Sequence, residues 1–265
     1  GHEIVGGTAD ISSSGNTLTI DQHTDRAAIN WQDFSIGAGE VTHFNQPAID
    51  SAVLNTVVGG NISSIYGSLT SNGKVFLINP NGIMVGPNGV IDTAGFMAST
   101  MNLDSPDFMN GDLNFMGDPL NKIENQGTIK AFDKDVIIFA KEVDNSGTIT
   151  APNGEVALIG GYQEVYLHEN GDGNIIVKAP VEGSVTNTGT IEAAQAELRA
   201  AGGNIYTMAV NCDGVVNANG FMEQDGRILF FADQGTTSVG GDVSASNVDE
   251  TGGEIHILGD NVVVK

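Results

Sequence analysis

The sequence is poor in basic residues, in cysteine and in long apolar runs. It has 10 lysines and arginines against 33 aspartates and glutamates in 265 residues, a formal charge of −23. A surface this acidic repels phosphate groups, which argues against binding to nucleic acids or to anionic membranes. Cys212 is the one cysteine, which excludes an internal disulfide and a cysteine-based metal site. No run of 18 apolar residues occurs, so we expect no membrane span.

Candidate catalytic and metal-binding residues are scattered rather than grouped. The sequence has no paired aspartates, no Gly-His-Gly stretch and no EF-hand loop, and the acidic turn at 168–174 stands alone. Both kinds of site need several such residues close together. We therefore expect no enzyme, no metal site and no cofactor, and whether the acidic surface binds calcium stays open. The arginines and four of the histidines lie in unrelated contexts: Arg26, Arg199, Arg227, His23, His43, His168 and His256.

Glycine, in contrast, is abundant, and five of the 36 glycines begin the pattern Gly-x-Ile/Val-x-Ala. Alternation along a strand places the aliphatic residues of this pattern on one face and its polar residues on the other. The copies start 20, 42, 25 and 27 residues apart, and we interpret the interval of 42 as two turns with one degenerate copy. Such a period predicts a solenoid. The copies are Gly127–Ala131, Gly147–Ala151, Gly189–Ala193, Gly214–Ala218 and Gly241–Ala245.

A second apolar segment follows every copy, so each turn of the solenoid carries at least two strands. No turn contains a leucine-rich framework or a helical pattern of ten residues. These features predict an all-β protein that forms a parallel β-helix. The second segments are Val136–Ala140, Val156–Gly160, Ala196–Ala200, Ile228–Ala232 and Ile255–Gly259.

Three asparagines precede the repeat glycine by two residues, at Asn125, Asn145 and Asn187. Asparagine and glycine both tolerate the left-handed backbone of a sharp turn. If the three residues stack in register, their side-chain amides can form a hydrogen-bonded ladder along the solenoid. The alternative is that they are ordinary solvated turn residues.

The two ends and one interior segment differ from the repeats. We interpret the chain as a single domain of residues 1–265, with an N-terminal β cap at 1–50, coils at 51–265 and an excursion near 102–122. In the cap, Trp31 and Phe34 would plug the first coil, although a tryptophan can also stack on carbohydrate. The excursion would pack back through its apolar residues or bind a partner. The first residues look like a processed start, and the final strand suggests a piece of a larger protein.

A dense series of motifs lies between residues 29 and 103. In these motifs the sequence resembles the N-terminal secretion domain of two-partner-secretion exoproteins, the filamentous haemagglutinin family, and most of all its high-molecular-weight adhesin branch. The Asn-Pro-Asn-Leu motif of other branches and the Cys-x-x-Cys of the family's haemolysins are absent, which weakens a haemolysin assignment. The motifs are Ile29–Ile36, Val41–Pro47, Ser51–Asn55, Gly73–Ile83 and Gly95–Thr100.

The resemblance implies a right-handed parallel β-helix that the Sec machinery exports to the periplasm. It also implies a partner, an Omp85-type outer-membrane transporter of the TpsB class whose POTRA domains recognise this domain. The protein would then reach the cell surface or the medium, and we expect a monomer. Two alternatives stay open, namely an adhesin module that binds host molecules or polysaccharide directly, and a polysaccharide-cleaving enzyme.

The motif shared with the adhesin branch ends in Asn79, Pro80, Asn81, Gly82 and Ile83. Proline presets the second position of a turn, and glycine releases the chain into the next strand. The resemblance implies that this turn is the secretion motif. Its role is either to shape the backbone or to contact the transporter. Because a β-helix pairs strands far apart in sequence, it folds slowly, which suits a domain that is an export address first and a folding nucleus second.

Overall fold

A computed structural model describes residues 1–167, 175–202, 207–220, 222 and 225–265. Regular structure in these residues is β-strand apart from one short helix, α1 (Ser105–Asn110). The strands, in chain order, are β1 (His2–Gly6), β2 (Ala9–Ser14), β3 (Thr17–Gln22), β4 (Arg26–Trp31), β5 (Val41–Asn45), β6 (Ala52–Val57), β7 (Ser63–Ile65), β8 (Ser68–Ser71), β9 (Lys74–Ile78), β10 (Ile83–Val85), β11 (Val90–Thr93), β12 (Gly95–Ser99), β13 (Leu113–Met116), β14 (Lys122–Asn125), β15 (Thr128–Ala131), β16 (Val136–Ala140), β17 (Glu142–Asn145), β18 (Thr148–Gly160), β19 (Tyr162–Leu167), β20 (Ile175–Pro180), β21 (Ser184–Asn187), β22 (Thr190–Ala201), β23 (Met208–Cys212), β24 (Val215–Ala218), β25 (Arg227–Asp233), β26 (Thr236–Val239), β27 (Val243–Ala245), β28 (Glu254–Leu258) and β29 (Asn261–Val264).

Parallel pairing stacks most of these strands in three columns, and the chain visits the columns in turn to complete each coil. The first column contains β3, β5, β8, β11, β15, the first halves of β18 and β22, β24 and β27. The second contains β4, β6, β9, β12, β16, the second halves of β18 and β22, β25 and β28. The third contains β7, β10, β14, β17, β21, β23, β26 and β29. The predicted all-β parallel β-helix is confirmed, with three strands per coil.

Inward side chains of successive coils lie directly above one another. In the first column Ile91, Ile129, Ile149 and Ile191 occupy equivalent positions, and all four are buried. Stacking of branched aliphatic residues fills a narrow core along the whole axis. The polar residues of the repeats form a parallel row on the outer face: Lys130, Thr150, Glu192, Asn217 and Ser244.

The repeat glycines allow neighbouring coils to approach closely. A Cβ atom on Gly147 would lie 2.2 Å from the carbonyl oxygen of Gly127, and one on Gly189 would lie 2.1 Å from that of Gly147. No side chain fits at such distances. The expectation that these glycines supply a left-handed backbone was wrong, because their φ angles are not positive. Close contact between coils explains them instead.

The interval of 42 residues between two repeats is one coil with an insertion. Thr148 pairs directly with Thr190, and Asn145 pairs with Asn187, so no coil lies between them. The additional residues include the antiparallel pair β19 and β20, which leaves the solenoid at the corner between the second and third columns. The interpretation as two turns with a degenerate copy was therefore wrong.

The first coil begins earlier than the sequence indicated. Strands β3 and β4 already pair in parallel with β5 and β6, so the coils start at Thr17 rather than at residue 51. At this end of the solenoid two strands are antiparallel, namely β1, which pairs with β4, and β2, which pairs with β3. These two strands close the N-terminal end of the solenoid, where exposed strand edges would otherwise invite association.

The segment at 102–122 leaves the solenoid and, together with the second insertion, covers one outer face. Helix α1 and strands β13, β19 and β20, called the cover below, pack on the outer side of the second column. Phe108 stacks edge-on against Phe76, and Phe115 against Phe139, with ring centroids 5.1 and 4.6 Å apart. All of these rings are buried, so the protein has a second apolar core outside the coils.

Candidate functional site

The turn at Asn79–Ile83 joins β9 of the second column to β10 of the third. The amide of Gly82 donates to the carbonyl of Asn79 at 3.0 Å, which closes the turn. Gly82 has a φ of 111°, a conformation that strongly favours glycine. Ile83 then enters the core as the first residue of β10. The sequence Asn-Pro-Asn-Gly folds this way because proline, asparagine and glycine each suit their positions in a tight turn.

Asn79 is the interior support of this turn and is 0% exposed. Its side-chain amide donates to the carbonyl of Asn61 at 3.0 Å and to the hydroxyl of Ser63 at 2.9 Å. Its side-chain oxygen accepts the backbone amide of Asn81 at 2.9 Å. Every polar atom of the side chain is therefore used inside the protein, and none is left for an external partner.

Two further amides tie the turn to the coils before and after it. Asn81 donates to the carbonyl of Gly59 at 2.8 Å, and Asn121 donates to the carbonyl of Pro80 at 2.7 Å. Corners from three successive coils, at 58–62, 79–82 and 120–122, are thus joined by side-chain amides. We call this surface the amide corner. Asn61 and Asn121 do not stand out in the sequence, and only the Gly59-Gly60-Asn61 cluster signals a turn there.

The outer surface of the amide corner carries several large apolar side chains beside the exposed Asn61, Asn121 and Lys122. Val58 is 53% exposed, Ile62 is 48% exposed and Leu120 is 73% exposed, while Pro80 lies between them on the middle coil. The methyl carbon Cγ2 of Ile62 lies 3.8 Å from the position of a Cβ on Gly82, next to the turn. Large exposed apolar side chains gathered in one place mark a contact surface more often than single ones do. The sequence analysis missed these residues, because each follows or precedes a turn and belongs to no repeat.

Trp31 and Phe34 lie at the start of the solenoid interior. Both are buried, and their rings meet edge-on with centroids 5.3 Å apart. The indole nitrogen of Trp31 donates to the side-chain oxygen of Asn55 at 2.9 Å, and Asn55 in turn donates to the carbonyl of Phe76 at 3.3 Å. An indole that is packed and hydrogen-bonded in this way has no free face for a sugar ring.

The three repeat asparagines stand in one row of the third column and are buried. Asn125 donates to Asn145 and Asn145 donates to Asn187, each at 2.8 Å between nitrogen and oxygen. Asn187 continues the row to the sulfur of Cys212 at 3.6 Å. The row is an internal hydrogen-bonded ladder across three coils rather than a set of solvated turns.

A family model described as the TPS secretion domain matches residues 3–245. This chain belongs to the TPS secretion domain family. The match covers all three site groups described above, namely the amide corner, the buried aromatic pair and the asparagine row. It identifies a secretion domain of a two-partner-secretion exoprotein, a family of export domains rather than a known family of enzymes.

Relatives of this TPS domain come from Haemophilus influenzae. A heme/hemopexin-binding protein of strain Rd is 33% identical over 270 residues, covering 97% of this chain and 29% of the relative. Another protein of the same name is 41% identical over 104 residues, covering 39% of this chain and 11% of the relative. The crystal structure of the HMW1 secretion domain superposes with a TM-score of 0.88 at 31% identity, covering 100% of this chain and 71% of that one. The TPS domain thus spans less than a third of its curated relatives.

Family membership has consequences for location and partner. Exoproteins with a TPS domain are secreted to the cell surface or the medium, and the domain implies a TpsB partner. In the described ranges, the TPS domain has no helix with the length and apolar character needed to cross a bilayer. Across the same residues, no three histidine, cysteine or acidic side chains gather as a metal-binding group.

The described histidines at 23, 43 and 256 lie in separate contacts of the TPS domain. His23 contacts Asp10, His43 contacts the hydroxyl of Thr70, and His256 contacts Glu254, while His168 and the acidic turn at 168–174 fall outside the described residues. Arg26 binds the cover to the solenoid, because its guanidinium donates to the carbonyl of Phe108 at 3.1 Å and lies over the Phe108 ring. Arg26 and these histidines therefore serve separate structural contacts, whereas Arg199 and Arg227 both lie near the buried Glu155.

Several acidic and basic side chains lie together, buried or half-buried, on the outer side of the second column. Glu197 and Arg199 approach to 2.6 Å between Oε1 and Nε. Burial, together with the carboxylates of Glu197 and Asp135, raises the pKa of Glu155 to about 8, although Arg227 and Arg199 act to lower it. Burial also raises the pKa of Glu197. At neutral pH Glu155 is thus mostly protonated, which lets it sit beside two other acids.

Proposed function

We propose that this chain is the export address of a longer exoprotein, read in the periplasm by the POTRA domains of a TpsB-type transporter of the Omp85 class. The observation that carries the proposal is the TPS family match over residues 3–245. Sec export would bring the chain to the periplasm, and the transporter would pass it to the cell surface or medium. The single cysteine favours this route, because no disulfide can trap the chain before it is threaded.

The Asn79–Ile83 turn would act in recognition by shaping the surface that the transporter reads. Asn79 is buried and its polar atoms are satisfied internally, and Asn81 holds the preceding coil through Gly59. Of the four turn residues, only Pro80 is fully on the surface. A change at Asn79 would therefore act through the backbone. This supports a shaping role over direct contact between the asparagine and the transporter.

The domain would also seed folding outside the cell. The N-terminal end is closed by the antiparallel strands β1 and β2, so new coils can stack only on the other end. Each coil pairs with residues about one coil away in sequence, and the pairing is parallel throughout the columns. Non-local pairing of this kind is slow to nucleate and then propagates from neighbour to neighbour. Folding that proceeds outward would oppose return of the chain through the transporter.

The test is secretion of the 265-residue chain behind a Sec signal peptide, with and without a cognate TpsB-type transporter. We expect release into the medium only with the transporter, and loss of release in Asn79→Ala/Asn81→Ala. The control is Asn16→Ala, an exposed turn asparagine at the N-terminal hairpin. Release without the transporter would contradict the proposal. Thermal unfolding of the purified double variant checks the shaping role, which requires that stability falls together with export.

A second proposal concerns the exported protein. The similarity to the heme/hemopexin-binding protein extends over 97% of this chain at 33% identity. We infer that the longer protein exported by this domain binds heme or hemopexin. The test is capture of the full-length secreted protein on immobilised hemin and on immobilised hemopexin, with the 265-residue chain as the control. Failure of the full-length protein to bind either ligand would contradict this proposal and leave the export role unaffected.

A further inference from the structure

We propose that the apolar surface of the amide corner, formed by Val58, Ile62, Pro80 and Leu120, is the docking surface for the periplasmic region of the TpsB transporter. The inference rests on the proposed export function and names the surface that carries it. In this proposal the transporter does not contact the asparagines of the turn. It contacts apolar residues beside the turn, which the asparagines hold in place.

The corner displays apolar side chains from three successive coils on a rigid base. Neighbouring coils in a parallel sheet are separated by about 5 Å, so Val58 and Ile62, Pro80 and Leu120 lie on adjacent levels. The amides of Asn81 and Asn121 fix the levels to one another at 2.8 and 2.7 Å. Side chains that are ordered before binding lose little entropy on docking, which favours their use as anchors.

The other described elements of this fold do not cover these apolar side chains. The corner lies on the flank of the solenoid, with coils above and below it, so a further coil stacked at either end would not cover it. The cover packs on the neighbouring face of the second column. Leu120, which lies between β13 of the cover and β14 of the solenoid, stays 73% exposed. An external partner is therefore the occupant that the position allows.

Charge favours a basic partner over a second copy of this chain. Asp33 lies at the rim, where its carboxylate accepts from the side-chain amide of Asn61 at 3.3 Å, and Asp118 precedes Leu120 by two residues. Lys122, the basic residue of the corner, is already paired with Glu124 at 2.8 Å and lies 3.6 Å from Asp144. The whole chain carries a formal charge of −23, so two copies repel each other. The fitting surface is an apolar groove with lysine or arginine at its edge, and such pairing makes association sensitive to salt.

The corner can form early in a chain that has not finished folding. The level of Leu120 joins last, because the bond from Asn121 to Pro80 spans 41 residues. The bonds from Asn79 to Asn61 and from Asn81 to Gly59 span 18 and 22 residues, about one coil. Contacts of that separation are among the most local in a β-helix. The surface can thus bind the transporter while later coils are still unfolded. The chain can then be recognised by a folded surface and still pass through the transporter in an unfolded state.

The experiment compares three polar substitutions on the corner with matched substitutions elsewhere. The test variant is Val58→Ser/Ile62→Ser/Leu120→Ser, and the controls are Val248→Ser and Ile176→Ser, both at exposed apolar positions away from the corner. Binding of each purified chain to the purified POTRA region is measured at 50 and 300 mM salt, and export is measured in cells. Intrinsic fluorescence of Trp31 and thermal unfolding confirm that every variant is folded.

We expect at least about tenfold weaker POTRA binding and a matching loss of export for the corner variant, since loss of one or two interface anchors has that effect. The controls should bind as the native chain does, and higher salt should weaken binding. If the folded corner variant binds and is exported like the native chain, and export still requires the transporter, this inference is overturned while the export function stands. A dimer in sedimentation that the corner substitutions dissolve would also overturn it. Export without the transporter would overturn both.

Discussion

The side-chain amide of Asn145 donates to the side-chain oxygen of Asn187 at 2.8 Å, although 42 residues separate them in the chain. The two residues belong to consecutive coils, because the intervening insertion leaves the solenoid and returns to the same corner. Asn145 also accepts the amide of Asn125 from the coil before. One side chain therefore joins three coils through hydrogen bonds to the asparagines on either side of it.

Asn145→Ala should destabilise the domain by about 2 to 4 kcal/mol. The substitution removes the acceptor of one Asn125 amide hydrogen, whose nitrogen keeps only the carbonyl of Thr148 at 3.4 Å, and it leaves the buried oxygen of Asn187 without its donor. Each such group costs about 1 to 3 kcal/mol. Urea unfolding followed by circular dichroism measures the change. Thr150→Ala, on the strand that follows, faces outwards and should change stability by less than about 0.5 kcal/mol. Equal effects of the two substitutions would contradict a structural role for the ladder.

Gly147→Ala should destabilise the domain by more than about 3 kcal/mol or prevent folding. The new methyl group would lie 2.2 Å from the carbonyl oxygen of Gly127, so neighbouring coils would have to separate. Gly252→Ala is the matched control, since a Cβ there meets nothing within 4 Å. Thermal unfolding of both variants is the measurement. A stable Gly147→Ala protein would show that the coils can adjust their spacing.

Phe108→Ala should release the cover while the coils remain folded. The ring is fully buried between Phe76 and Arg26, and removal of a buried aromatic ring costs about 3 to 5 kcal/mol. Hydrogen exchange should show loss of protection in α1 and β13, with little change in the first column. Met116→Ala, at an exposed position of β13, is the control. Loss of protection throughout the protein would show instead that cover and coils unfold together.

The stability of the domain should fall as the pH rises from about 5 to about 8. In the folded protein the pKa of Glu155 is about 8, against an ordinary value of 4.5. The folded state therefore binds the proton more tightly than the unfolded state, and stability is lost as the pH rises through this window. A shift of this size corresponds to a loss on the order of 3 kcal/mol between pH 5 and pH 7.5.

The matched variant for this prediction is Glu155→Gln, which keeps the shape of the side chain and removes its charge. We expect it to be more stable than the native chain at pH 8 and to show a shallower dependence on pH. A residual slope should persist, because burial also raises the pKa of Glu197. Urea unfolding at several pH values gives both curves. Parallel curves for the native chain and the variant would rule out Glu155 as the source.

The repeat architecture could be predicted because it is written in local patterns. Alternation of residues in each strand and the position of the glycine before it depend on a few adjacent residues, and both recur at every coil. The asparagine row followed from the same repeats, since equal offsets from the glycine place Asn125, Asn145 and Asn187 in one row. Even here the reason for the glycine was wrong, because contact between coils is not visible in a single repeat.

The alternation, the coil period and the family of the motifs could thus be read from the order of the amino acids. The tertiary structure alone decided where the insertions go, how Arg26 meets Phe108 across 82 residues, and which apolar side chains stay exposed at the amide corner. It also placed Glu155 beside Glu197 and Arg199 from different coils. The physical reason is that burial and charge pairing depend on residues distant in sequence, whereas strand periodicity depends only on neighbours along the chain.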